Sequence, residues 1–161
     1  MAVAKMKEVV GRKLRVVNIK REEGVRCEVD TGDGHTVITD EPAERGGTNT
    51  ATSPLMYFTT SLGACQTVQI VKVAEAMRFK HGEINIRVET VTDLIDGVEG
   101  NSNGVMHFVG ATLNIEIETN ESPEKLQRLA QLSEDRCPVG RLFADAGFEP
   151  ECVWTAVPLA E

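Results

Sequence analysis

Two cysteines of this 161-residue chain stand where thiol chemistry is possible. Cys65 lies near the middle of a long, largely apolar run, SPLMYFTTSLGACQTVQIVKVAEAMRF, over residues 53–79, and Cys137 lies in EDRCPVGRLF over residues 134–143. A thiolate at either place is a nucleophile and can be oxidised. Pro138 suits the first position of a helix, which makes Cys137 its N-cap, where free amide donors and the positive end of the helix dipole favour a thiolate. Arg136 and Arg141 add positive charge nearby, and Glu134 and Asp135 oppose it. Each cysteine also has a plainer reading. Cys137 can merely cap and pack, and Cys65 can be a small core hydrophobe on an apolar helix face.

The rest of the composition narrows the chemistry. The four cysteines, at 27, 65, 137 and 152, are far apart and form no CxxC or Cys/His cluster, and three scattered histidines add no metal-ligand spacing. Glycine-rich phosphate motifs are absent, so no metal, flavin or nucleotide cofactor is expected. A formal net charge of −8 argues against a nucleic-acid partner. The first residues, MAVAKMKEVVGRKLR, mix charges with apolar side chains and contain no signal-peptide core, which makes the cytoplasm the expected location. In that compartment, thiol chemistry or burial explains the cysteines better than a disulfide framework. Cys27 and Cys152 read as strand residues.

These cysteines need elements to hold them. Ser53–Pro54 is a helix start, and the helix it opens runs to Phe79 with one internal glycine, Gly63. Gln66, Gln69, Lys72 and Glu75 form a polar stripe along its second half, which argues against a membrane span; the remaining apolar faces require burial. Ahead of it, strands are expected over Leu14–Ile19, Val25–Asp30 and His35–Asp40, with a tight turn at TGDG. Residues 40–52 form a polar loop. After the helix, Glu83–Thr92 and Val105–Thr119 read as a long hairpin, with Ile84, Ile86, Val88 and Val91 of the first strand facing one way. Ser122–Pro123 repeats the helix start for Glu124–Glu134, a short helix spans Val139–Ala146, and Glu151–Val157 is a last strand. The order is βββ-α-ββ-αα-β, an α+β fold whose sheet wraps around a long buried central helix. At 41% hydrophobic and 26% charged, the chain reads as one domain, residues 1–161, with 1–13 a flexible or partner-contacting segment.

The motif SPLMYFTTSLGAC and, about 70 residues later, RCPVGRLF together resemble the OsmC/Ohr family, the osmotically inducible protein C and organic hydroperoxide resistance proteins. DEPAERGGTNTATSP resembles the loop before the first helix in the OsmC-like branch, and the resemblance covers the chain from roughly Val16 to Val157. It implies an intertwined homodimer with two active sites at the subunit interface. It further implies that Cys65 is the cysteine that attacks the peroxide, that Cys137 resolves the product as a disulfide, and that Arg21, in NIKREEG, holds the thiolate and polarises the peroxide oxygen. An external dithiol would then reduce the pair. The family's remaining site member is a glutamate just after the proline of the helix start; here Leu55 and Met56 stand there, and neither is acidic. The expected activity is thiol-dependent reduction of organic hydroperoxides in oxidative-stress defence. The alternative is a dimer of the same fold that binds a ligand or senses redox state with little turnover.

Overall fold

The computed structural model describes residues 11–95 and 104–160. Most of the N-terminal segment read as flexible or partner-contacting, residues 1–10, and most of the loop read over 93–104 lie outside the described residues. The fold is α+β, and the chain divides into two compact units, Met1–Pro54 and Leu55–Glu161.

The first unit is an antiparallel meander of three short strands, β1 (Asn18–Arg21), β2 (Cys27–Asp30) and β3 (Thr36–Thr39). Its register pairs Arg21 with Cys27 and Cys27 with Thr39. The turn between β2 and β3 uses Gly32 and Gly34 at positive φ, 75° and 92°, a region that costs other residues strain. The polar loop that follows is anchored by Asp40. Its buried carboxylate accepts from the amide N–H and the hydroxyl of both Thr48 and Thr50, at 2.7–3.2 Å. The Thr50 amide, aided by the Thr48 hydroxyl, holds the Asp40 carboxyl well below the usual carboxylate range.

In the second unit, α1 (Pro54–Met77) is followed by the hairpin β4 (Ile84–Ile95) and β5 (Val105–Glu118), then α2 (Pro123–Asp135), α3 (Pro138–Asp145) and β6 (Glu151–Val157). The helix α1 stops two residues before the expected end. Arg78 takes a positive φ of 52°, its N–H donates to Glu75 O, and the N–H of the buried Phe79 reaches back to Ala74 O at 2.8 Å. That pair of bonds satisfies carbonyls that the last turn leaves free. Both Ser-Pro and Cys-Pro starts behave as their chemistry dictates: Ser122 caps α2 by accepting from Lys125 N–H, and Cys137 caps α3.

Among the described residues the strands form two three-stranded sheets, and within the second unit β4-β5-β6, with β6 parallel to β5, packs against α1. The core is built from alternate residues of β5 (Ala111, Leu113, Ile115, Ile117), from Leu62, Ile70, Val73 and Ala74 of α1, and from Leu129 and Phe143 of α2 and α3. Gly63 explains how closely the helix approaches. A Cβ there would come within 2.6 Å of Val88 Cγ2, so only glycine lets α1 lie this near β4. Along β4, Ile84, Ile86 and Val88 face the core as expected, whereas Val91 points outward, because it has odd parity in a strand whose inward set is even. In this chain α1 buries one face, while Leu55, Met56, Val68 and Val71 are exposed on it. Among the described residues, no helix is long and apolar enough to cross a membrane.

Candidate active site

The site is made by two helices meeting at their cysteines. Cys65 sits midway along α1, half-buried, one turn after Leu62 and next to Gly63–Ala64, where the close approach to β4 fixes the helix in place. Cys137 is delivered by the turn between α2 and α3. Its own N–H donates to Glu134 O at 3.1 Å, and its Sγ accepts from the Gly140 N–H at 3.4 Å. These bonds orient its side chain, and the Cys65 thiol lies close enough to act on it electrostatically. All four cysteines are free thiols.

The electrostatics of Cys137 overturn the expectation drawn from its place at a helix start. Burial pushes the thiol up to about 11; the Gly140 amide pulls in the opposite direction and does not compensate, and the neighbouring Cys65 raises it further. The residue is 1% exposed, α3 has only 8 residues, and Arg136 and Arg141 are solvent-exposed and therefore screened. Desolvation wins, so Cys137 is a protonated thiol at neutral pH. Arg21 belongs to the first unit, at the end of β1, where its Nε donates to Gly24 O at 2.6 Å and folds the side chain back onto its own turn.

Beside Cys137 is a small cavity of about 30 Å³, lined among others by Leu62, Gln66, Glu134, Arg141 and Cys152. Gln66, expected on the polar stripe of α1, is instead buried, and its Nε2 donates to Ser133 Oγ of α2 at 3.2 Å. Glu134 accepts from Trp154 Nε1 at 2.7 Å, and burial raises its carboxyl above the ordinary value. Cys152 is pushed up to about 12, by burial first and then by the Glu134 carboxylate. Little in the sequence singles out these three residues. The available signal is the alternation in ECVWTAV, which puts Cys152 and Trp154 on the same strand face, with the exposed Val153 on the other.

The apolar surroundings are built largely from aromatic rings. Phe58 stacks with Phe143 at 5.2 Å and meets Phe108 at 4.9 Å, and Phe143 in turn contacts Phe148 edge-on at 5.3 Å. Together with His107 and Leu142 these rings line a pocket of about 250 Å³. Val68, three residues after Cys65 on α1, is exposed. Among the described residues, no group of three or more His, Cys, Asp or Glu side chains is placed to hold a metal ion.

Comparison with known proteins agrees with this architecture. The family model described as OsmC-like protein matches residues 47–150. The solved structure of an OsmC like protein from Mycoplasma pneumoniae superposes with a TM-score of 0.74 at 17% identity, covering 90% of this chain and 98% of that one. An organic hydroperoxide resistance protein OsmC from Legionella pneumophila gives 0.67 at 17% identity, covering 89% and 97%. The organic hydroperoxide resistance protein OhrB of Bacillus subtilis gives 0.58 at 19% identity, covering 89% and 98%. At such identities these structures establish the fold. Among curated proteins, none matches the sequence significantly.

Proposed function

The chain belongs to the family of OsmC-like proteins, and from that premise we propose that it reduces organic hydroperoxides through Cys65 and Cys137, in defence against oxidative stress. The observation that carries this reading is that the buried Cys137 thiol has the Cys65 thiol as an electrostatic neighbour. In the first step the Cys65 thiolate attacks the outer peroxide oxygen. An S–O bond forms, the O–O bond breaks, and an alcohol leaves, with Cys65 now a sulfenic acid. In the second step Cys137 attacks that sulfur, the S–S bond forms, and the S–O bond breaks with loss of water. An external dithiol supplies the two electrons that return the pair to thiols, and no metal or organic cofactor takes part. The aromatic pocket of Phe58, Phe108, Phe143 and Phe148 is where an alkyl group would gain from burial, at roughly 25 cal/mol per Å². The free thiols suit a reducing cytoplasm.

The different burial of the two sulfurs supports a division of roles. A protonated Cys137 is a poor first nucleophile, which leaves the attack on peroxide to Cys65. It also makes the second step depend on pH. Since only the thiolate attacks and Cys137 titrates near 11, disulfide formation is expected to accelerate about tenfold per pH unit between neutrality and about pH 10. Stopped-flow measurement of sulfenic acid decay checks this; a flat profile would show that Cys137 is not the resolving thiol.

The direct test of the reading adds one equivalent of an organic hydroperoxide, such as cumene hydroperoxide, to the reduced protein and maps disulfides by peptide mass. A Cys65–Cys137 disulfide with matching loss of peroxide is expected; its absence removes the proposal. Arg21 enters on the resemblance, as the cation that holds the thiolate. Charge-assisted hydrogen bonds are worth about 1.5–3 kcal/mol, so Arg21→Ala is expected to slow Cys65 oxidation on the order of 10- to 100-fold. An unchanged rate would exclude this role.

The proposed assembly is a homodimer. Leu55, Met56, Val68 and Val71 are exposed apolar side chains along α1, and a second copy would cover them. Sedimentation at micromolar concentration should show a dimer, and a stable folded monomer would count against it. A second reading, redox sensing with little turnover, is favoured by one observation: the first turn of α1 has no acidic residue. Disulfide formation without sustained peroxide consumption in the presence of a dithiol would select it.

A further inference from the structure

Cys137 has a second thiol neighbour. The cavity next to it is shared with Cys152 of β6 and with Glu134 of α2, while Cys65 is not among its walls. Cys137 thus has Cys65 of α1 as an electrostatic neighbour and shares a small cavity, about 30 Å³, with Cys152 of β6. Thiol–disulfide exchange needs an attacking thiol with access to the disulfide, and this cavity is common to Cys152 and Cys137.

We infer that Cys152 is a third redox thiol, which takes over Cys137 from the Cys65–Cys137 disulfide and returns Cys65 to its reduced form. This rests on the peroxidase reading, since that reaction supplies the first disulfide. The exchange balances within the chain. The Cys152 sulfur forms a bond to Cys137 Sγ, and the Cys65–Cys137 bond breaks. The electron pair of that bond leaves on Cys65, and the proton lost by Cys152 ends there. Glu134 faces Cys152 and is the group placed to accept that proton on its way. Its carboxylate is oriented by Trp154 Nε1 at 2.7 Å, and burial makes it a stronger base than an exposed glutamate. The same carboxylate, together with burial, keeps Cys152 a thiol and so protects it from direct attack on peroxide. The oxidised pair thus moves from α1–α3 to α3–β6, and Cys65 is free for another encounter with peroxide.

The experiment is a time course of disulfide mapping after one equivalent of cumene hydroperoxide, with acid quenching and alkylation to stop later exchange. In the wild-type protein the Cys65–Cys137 peptide pair is expected to appear first and then decline as a Cys137–Cys152 pair replaces it, with the total disulfide constant. Cys152→Ser and, in case serine perturbs the packing, Cys152→Ala should both stop at Cys65–Cys137. Glu134→Gln should slow the second stage about tenfold or more while leaving the first unchanged. If wild-type protein holds Cys65–Cys137 indefinitely with Cys152 fully alkylatable, the inference is overturned and the peroxidase reading stands. If no disulfide forms and no peroxide is consumed, both fall.

Discussion

Replacing Cys65 with serine is expected to abolish hydroperoxide consumption, a loss on the order of 10³-fold or more. A hydroxyl at neutral pH is a far weaker nucleophile than a thiolate, and the other two cysteines of the second unit are poor substitutes. Cys137 is held protonated by burial, and Cys152 is held so by burial and the Glu134 carboxylate. The contrasting variant is Cys137→Ser. Here the first step survives, one equivalent of peroxide is consumed, and the protein gains one oxygen at Cys65, trapped as the sulfenic acid by a dimedone-type reagent. Turnover then ceases because no disulfide forms. A coupled peroxide assay over many equivalents, read beside intact mass after one equivalent, separates the two variants. Undiminished consumption by Cys65→Ser would mean that the reacting group lies elsewhere.

The largest expected effect on stability comes from Phe143→Ala. Phe143 is 1% exposed, contacts Phe58, Phe108 and Phe148, and is the only buried residue of α3. Its truncation is expected to cost about 3–5 kcal/mol, a large part of the ~5–15 kcal/mol typical of a domain. Chemical denaturation, with the midpoint lowered and the slope unchanged, checks the magnitude. The change has a functional consequence that a surface mutation lacks. Phe143 anchors the helix whose N-cap is Cys137, so its loss should loosen the contact between Cys137 and Cys65. Disulfide formation should therefore slow even where the protein remains folded, while the first oxidation of Cys65 persists. Phe143→Leu, which keeps most of the buried volume, should restore much of both. If Phe143→Ala forms the disulfide at the wild-type rate, α3 is positioned by something other than this ring.

How far the sequence could be read depends on how local each feature is. The two proline-headed helix starts at Pro54 and Pro123 and the cap at Cys137 are encoded within a few residues, because proline sets its own φ and a capping side chain reaches only the next turn. Alternation at Ile84, Ile86 and Val88 was legible for the same reason: period two is a property of the strand itself. The pairing of Cys65 with Cys137 was read from the family resemblance of their contexts. Other features were not local. Val91 turns outward because the inward set of β4 has even parity, and Gln66 leaves the polar stripe because Ser133, 67 positions away, offers it a buried partner. The parallel placement of β6 on β5 brings Cys152 to the wall that Cys137 also lines. The protonation of Cys137 is the clearest case. Its helix start and two arginines argue for a thiolate, Glu134 and Asp135 argue against it, and burial, which no neighbour in sequence announces, pushes the thiol up to about 11. The sequence by itself determined the helix starts and the strand periods, since these follow from short-range sterics and hydrogen bonding. The tertiary structure decided what each sulfur can do, since desolvation is set by everything packed around it, and those groups come from α1, α2, β5 and β6 together.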